Sequence, residues 1–168
     1  PARIAGREFG RWAVLAGNFM NAETASDIGL VTHVVDINDD PNCIKDIHAS
    51  GKPDNKYPGK PMNENSPVVK FAKKFFSDGN MAALLSGSCP DGFDAEDKTV
   101  ARQLKSLKFT APIGLAMASE RIDATASMSL ADGLQLELQG LDRIFSTEDA
   151  LEGLSALIEG RRATYKNA

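Results

Sequence analysis

Between Ser129 and Ile158 large apolar residues return with the rhythm of a helix face. Leu130, Leu134, Leu138, Leu141 and Phe145 stand four, four, three and four residues apart, and Leu151, Leu154, Leu157 and Ile158 continue the pattern. Side chains at these spacings share one side of an α-helix, so this part of the chain buries its leucines only by packing helix against helix. Ser129 opens the first stripe, and Ser146 with Glu148 and Asp149 gives the second a polar start that suits a helix N-terminus. Two adjacent stripes expose too much apolar surface for a comfortable monomer. The faces carrying Leu134, Leu138 and Leu141, and Leu154 and Ile158, are therefore expected to lie between copies of the chain.

The helical rhythm extends through most of the sequence. Phe9, Trp12, Ala13, Ala16 and Phe19 make a stripe over residues 7 to 19. Asn21 is placed to cap a short second helix, with Glu23 in its first turn and Gly29 where a helix end favours positive φ. The β-branched run Leu30 to Val35 then reads as a strand, with His33 on it as a structural residue. From Ile37 to Pro67 five prolines (41, 53, 58, 61 and 67) sit among Asn, Asp, Gly and Lys, which predicts an irregular surface excursion, either a functional lid or a partly disordered loop. Helices resume at Ser66-Pro67, with Val68, Phe71, Phe75 and Phe76 as the apolar face. Residues 81 to 85 give a short apolar turn. Asp94 is expected to cap a helix carrying Val100, Ala101, Leu104 and Leu107, and Thr110 with Pro112 to open another reaching Ile122.

At 168 residues with 42% hydrophobic and 25% charged residues, the chain has the composition of a soluble globular protein and no apolar run near a membrane span. A net charge of −4 argues against a nucleic-acid binder. Cys43 and Cys89 have no metal-ligand spacing with His33 or His48, so no metal site and no disulfide is expected, and two free thiols suit a cytoplasmic protein. The opening residues lack a secretory apolar region, and the absence of Met at position 1 suggests a processed or truncated chain. Nucleophile and phosphate-loop motifs are missing. Glu120 and Asp123 share a helix face at i and i+3, but such pairs are usually solvated. Glu137, beside Leu134, Leu141 and Ile144, reads as a half-buried ion-pair partner rather than a catalytic acid.

Two blocks of the sequence, Pro1 to Asp36 and Phe109 to Lys166, resemble the C-terminal half of the crotonases, the enoyl-CoA hydratase/isomerase superfamily. The first block holds Gly17, Ala22, Glu23, Ala25, Gly29, Leu30, Val31, Val34 and Val35. The second holds Phe145, Thr147, Glu148, Asp149, Glu152, Gly153, Ala156, Glu159 and Arg161, then Tyr165 and Lys166. The resemblance implies a mainly α chain with one or two short strands, the C-terminal helical portion of the α/β crotonase fold. It divides into the end of the crotonase core (1–36), an irregular loop with inserted helices (37–107), and a helical oligomerising, CoA-facing region (108–168).

The same resemblance places the catalytic carboxylates and oxyanion-hole glycines before Pro1, so no catalytic residue is expected within the chain. It implies an acyl-CoA thioester as substrate, with no cofactor beyond the coenzyme A the substrate carries. The partners implied are the N-terminal half of the same fold and a homotrimer or hexamer. Phe145, Tyr165 and Lys166, with Arg161 or Arg162, are the implied CoA contacts, since an aromatic face stacks on adenine and an ammonium pairs with the 3′-phosphate. The stretch between the G-L-V strand and the Ala111-Pro112 helix is longer than in an ordinary hydratase and is similar to acyl-CoA hydrolases of the superfamily. A non-catalytic helical interaction module is the alternative from a different class.

Overall fold

The structure, a computed structural model, describes residues 2–52 and 61–167, and every regular element among them is helical. The helices are α1 (Ala2–Ala5), α2 (Arg7–Val14), α3 (Ala22–Asp27), α4 (Asp40–Ser50), α5 (Pro67–Phe75), α6 (Met81–Leu85), α7 (Lys98–Lys108), α8 (Pro112–Thr125), α9 (Leu130–Gln139), α10 (Leu141–Phe145) and α11 (Glu148–Glu159), with a 3₁₀ turn at Asp78–Asn80. The helical portion of the fold expected from the sequence is thus present, and no described helix is long and apolar enough to cross a membrane.

Helix α2 is central and packs on both α5 and α8. Its stripe works as predicted through Phe9, Trp12 and Ala16, all buried, with Leu15 beside them. These meet Val69, Ala72, Phe75 and Phe76 from α5 and its end, Leu84 from α6, Val100 and Leu107 from α7, and Leu115 and Ile122 from α8. Phe75 stacks on Phe71 (ring centroids 5.0 Å apart) and meets Phe76 and Phe93 edge-on at 5.1 and 4.9 Å. Rings at these distances add a directional term to roughly 1.5–3 kcal/mol of burial for each phenylalanine. The predicted face of α5 included Phe71 and Phe75, and the turn at 81–85 forms as α6.

Phe19 departs from the stripe: α2 ends at Val14, and Phe19 is 95% exposed. The β-branched run Leu30–Val35 is not a strand. Leu30 and Val31 donate their N–H groups to Ala25 O, closing α3, and Thr32 to Val35 run on as irregular chain. β-Branched residues favour a pleated surface but do not supply a neighbouring strand, and no described residue pairs with this run. His33 Nδ1 lies 2.8 Å from Thr32 Oγ1.

The excursion from Ile37 to Pro67 is also more ordered than predicted, since residues 40–50 form α4. Pro41 falls in the first turn, where the N–H it lacks has no helical partner, and Gly51 closes the helix at φ +75°. Residues 53–60, including Pro53 and Pro58, lie outside the described residues.

Several helix starts shift by a few residues. Asp97, not Asp94, caps α7, accepting from Thr99 N at 2.9 Å and Val100 N at 3.1 Å. Ala111 precedes Pro112 at the start of α8, while Thr110 bonds back to Ser106 O. Thr147, not Ser146, caps α11 through Ala150 N. Asn21 and Ser129 cap α3 and α9 as read from the sequence.

The long leucine helix predicted from Ser129 to Phe145 is broken at Gly140 into α9 and α10. A Cβ at that position would fall 2.6 Å from Arg121 Nε, so the guanidinium from α8 fills the space beside Gly140 and would have to move aside for a larger residue.

Candidate functional site

Tyr165 and Lys166, two of the residues implied as ligand contacts, lie where the chain leaves α11. Gly160, at φ +67°, ends the helix, and Arg161 N–H bonds back to Ala156 O at 3.0 Å. The segment 161–167 then folds back along α11. Arg161 makes a two-pronged bond to Glu152, with Nη1 to Oε1 at 2.6 Å and Nη2 to Oε2 at 2.9 Å, and its Nε reaches Glu159 at 2.5 Å. Thr164 N–H donates to Glu152 Oε1 at 2.8 Å. Hydrogen bonds from Arg161 first, and then from the Thr164 backbone, pull the Glu152 carboxyl down to about 2, well below the usual carboxylate range. Further along, Lys166 N–H donates to Asp149 Oδ1 at 2.7 Å and Asn167 N–H to Oδ2 at 2.9 Å.

Tyr165 and Lys166 are therefore held beside α11, half-buried and exposed respectively. The Tyr165 hydroxyl would lie 3.3 Å from a Cβ on Gly153, so the ring crosses the helix over the one residue without a side chain. Phe145 is exposed at the end of α10, and among the described residues no ring contact joins it to Tyr165. Of the two arginines named with this group, Arg161 is committed to Glu152 and Glu159, whereas Arg162 lies over the Phe109 ring at 5.1 Å. The structure brings Tyr165 and Lys166 together on α11 and leaves Phe145 apart from them.

A second feature is a cavity of about 670 Å³ between α1–α2 and α8–α9. Ile4, Val14, Ile122, Leu130 and Leu134 give it apolar walls, and Arg3, Arg121 and Glu137 are its charged groups. Arg3 is held by backbone carbonyls at the end of α8, with Nη2 2.5 Å from Met128 O and 2.7 Å from Ser129 O. Glu137, read from the sequence as half-buried, is exposed; it shares a face of α9 with Gly133, four residues earlier, and stands at the cavity's open side.

The Glu120–Asp123 pair does not act as a unit. Asp123 belongs to a cluster with Arg7, Arg11 and Asp78, while Glu120 is exposed with Arg121 4.0 Å away. Arg11 is only 1% exposed; it donates to Phe76 O at 2.9 Å, pairs with Asp78 at 2.7 Å and also reaches Asp123. Bonds from Arg11 and then Arg7 hold the Asp78 carboxyl below its ordinary value. This cluster ties α2 to the 3₁₀ turn and α8 and is architectural. Cys43 and Cys89 are free thiols, and no group of His, Cys, Asp and Glu that could hold a metal ion is found among the described residues.

Sequence reasoning missed the anchoring roles of Asp149 and Glu152. Asp149 stands out in the sequence as an acidic residue of the first helical turn and, with Glu152, as part of the second block of the resemblance, neither of which assigns it an anchoring role.

A family model described as enoyl-CoA hydratase/isomerase matches residues 2–166. The chain is 32% identical over 90 residues to "Enoyl-CoA hydratase, mitochondrial" of Pongo abelii, a match covering 54% of this chain and 30% of that protein. It is 33% identical over 63 residues to "Probable enoyl-CoA hydratase" of Rhizobium meliloti (strain 1021), covering 38% and 24%. It is 29% identical over 81 residues to "Probable enoyl-CoA hydratase 2, mitochondrial" of Arabidopsis thaliana, covering 48% and 27%. The matched stretches span less than a third of each of these relatives. No solved structure matches the chain.

Proposed function

The chain belongs to the enoyl-CoA hydratase/isomerase family, and we propose that it forms the helical, CoA-facing portion of an enzyme that hydrates or isomerises an enoyl-CoA. Such chemistry builds negative charge on the thioester oxygen and moves a proton. It needs preorganised N–H donors and a carboxylate near the reacting carbons. Three acidic residues are engaged otherwise, Asp123 with two arginines and Asp149 and Glu152 with the segment after α11, while Glu120 and Glu137 are exposed. We assign the acid/base and oxyanion groups to the preceding part of the fold, and this portion to binding the CoA end of the substrate. No cofactor beyond that CoA is required.

The observation that carries the reading is the family match over residues 2–166 together with the fixed path of residues 161–167. Tyr165 offers an aromatic face to adenine and Lys166 an exposed ammonium to the 3′-phosphate, with Phe145 as a further aromatic contact. Exposed Leu134, Leu138, Leu154 and Ile158 support a homotrimer or hexamer in which these faces meet. Two of the relatives are named mitochondrial, so cell fractionation tests the cytoplasmic expectation.

The test is Lys166→Ala in the full-length enzyme. Binding of a CoA thioester should weaken by roughly 1–2 kcal/mol, the range for a bond to a charged group, with little change for the dephospho-CoA analogue. Equal losses with both ligands would remove the phosphate assignment. A second reading, acyl-CoA hydrolysis, is favoured by α4 to α7, which lengthen the connection between the Leu30–Val35 run and α8. Release of free CoA thiol, rather than a hydrated or isomerised thioester, would decide for it.

A further inference from the structure

Asp149 is 2% exposed, and a carboxylate so deeply buried persists only where hydrogen bonds replace its water. Each of its oxygens receives one main-chain N–H, from Lys166 and Asn167. Asn167 has φ +63°, the left-handed backbone that lets successive N–H groups converge on one anion. One turn along α11, Glu152 takes a third main-chain N–H, from Thr164, and grips Arg161 with both oxygens. Gly153, next to Glu152 and one turn on from Asp149, leaves the gap that the Tyr165 ring crosses.

All three clamping bonds to the 164–167 stretch use backbone N–H groups. None consumes the Lys166 ammonium or the Tyr165 hydroxyl, and neither group makes a hydrogen bond to the other described residues. A ligand platform needs its backbone fixed and such groups free, and both conditions are met here: the backbone is clamped and the Lys166 side chain is exposed. Fixing the segment beforehand also spares the ligand the entropy of ordering it.

We infer that Asp149 and Glu152 are positioning residues, which hold segment 161–167 by its main chain so that Tyr165 and Lys166 meet a CoA thioester already in place. This inference rests on the CoA reading given above. Asp149→Asn replaces one acceptor oxygen by an NH₂ group facing an N–H donor, so at least one clamping bond must break. Glu152→Gln loses the charge that holds Arg161 but keeps an acceptor for Thr164, and its effect is smaller.

The experiment uses the full-length enzyme, measuring amide hydrogen exchange at residues 164, 166 and 167 alongside affinity for a CoA thioester and its dephospho analogue. In Asp149→Asn, exchange at 166 and 167 should accelerate and CoA affinity fall about tenfold, the scale of a lost charge-assisted bond. Preference for CoA over the dephospho form should shrink toward none, and Asp149→Glu should restore part of it. The overall unfolding midpoint should barely move, so selectivity, not foldedness, is the readout. Faster exchange in Asp149→Asn with unchanged affinity and selectivity would overturn the positioning role alone. Wild-type enzyme that binds CoA without regard to the 3′-phosphate would instead overturn the CoA reading on which the inference stands.

Discussion

Helices α2, α5, α7 and α8 and helices α9 to α11 are built from similar apolar stripes and end differently. In the first group Phe9, Phe75, Phe76 and Leu107 are buried against one another. In the second, Leu130, Leu134, Leu138 and Leu154 are at least half exposed, Leu157 and Ile158 nearly free at 79% and 86%, and the buried residues are Gly133, Gly140, Asp149 and Ala156. A period of 3.6 dictates a helix and the face it would bury; it says nothing of what covers that face. The first group finds its cover within the chain, and α9 to α11 rest on it through α8 while turning their leucines outward.

The sharpest way to break this comparison is at Phe75, whose ring touches Phe71, Phe76 and Phe93. Phe75→Ala should cost about 3–5 kcal/mol, the range for emptying a packed aromatic site, and take the whole molecule with it. Chemical denaturation followed by both far-UV circular dichroism and hydrogen exchange in α11 reports this. Loss of far-UV signal with α11 still protected would show that the two groups fold independently.

The same contrast explains what could be read from the sequence. Periodicity located α2, α5, α7 and α11, and the polar residue followed by proline at Thr110 and Pro112 located α8. The caps were ambiguous at short range: Asp94 accepts from Glu96 N in a turn of its own, and the very similar Asp97 three residues later begins α7. The Leu30–Val35 run had strand composition without a strand to pair with, and α4 was hidden by prolines that turn out to occupy its first turn or lie beyond it.

At the candidate site the contrast is between near and far neighbours. Tyr165 and Lys166 could be named because they close the second block of the family resemblance. The Asp149 clamp spans 17 residues and depends on a left-handed Asn167, which no local pattern announces. Arg11, beside Trp12 in the apolar stripe, is buried with partners that come from distant parts of the chain, Asp78 and Asp123.

Acid sharpens the comparison, since each group has a carboxylate held below its ordinary value. Glu152 falls from the usual 4.5 to about 2 in the folded state. Because its folded value is the lower one, its contribution is whole above about pH 4.5 and lost as the pH drops toward 2. Asp78 is shifted in the same direction by Arg11 and Arg7 and follows the same sign. Between pH 5 and 2 the amide of Thr164 should lose protection as Glu152 is protonated, and Glu152→Gln should remove most of that pH dependence. An identical acid response in wild type and variant would detach segment 161–167 from Glu152.

The smallest effect on the stability of the folded chain is expected at the outward leucines, and there it is the most telling. Leu138 and Leu154 are 60% and 51% exposed, so replacing either by Asp removes little contact within one copy. Each change should alter the unfolding free energy of the isolated chain by no more than about 0.5 kcal/mol, as at other surface sites. If these faces meet between copies, a carboxylate placed there must be desolvated without a partner, and association should fail although folding does not. Sizing columns with light scattering should then show monomer for Leu138→Asp or Leu154→Asp where the parent is larger. An unchanged oligomer in both variants would move the contact to another surface. A loss of folding comparable to Phe75→Ala would erase the distinction between the two groups, because it would mean that the leucines are covered within a single copy after all.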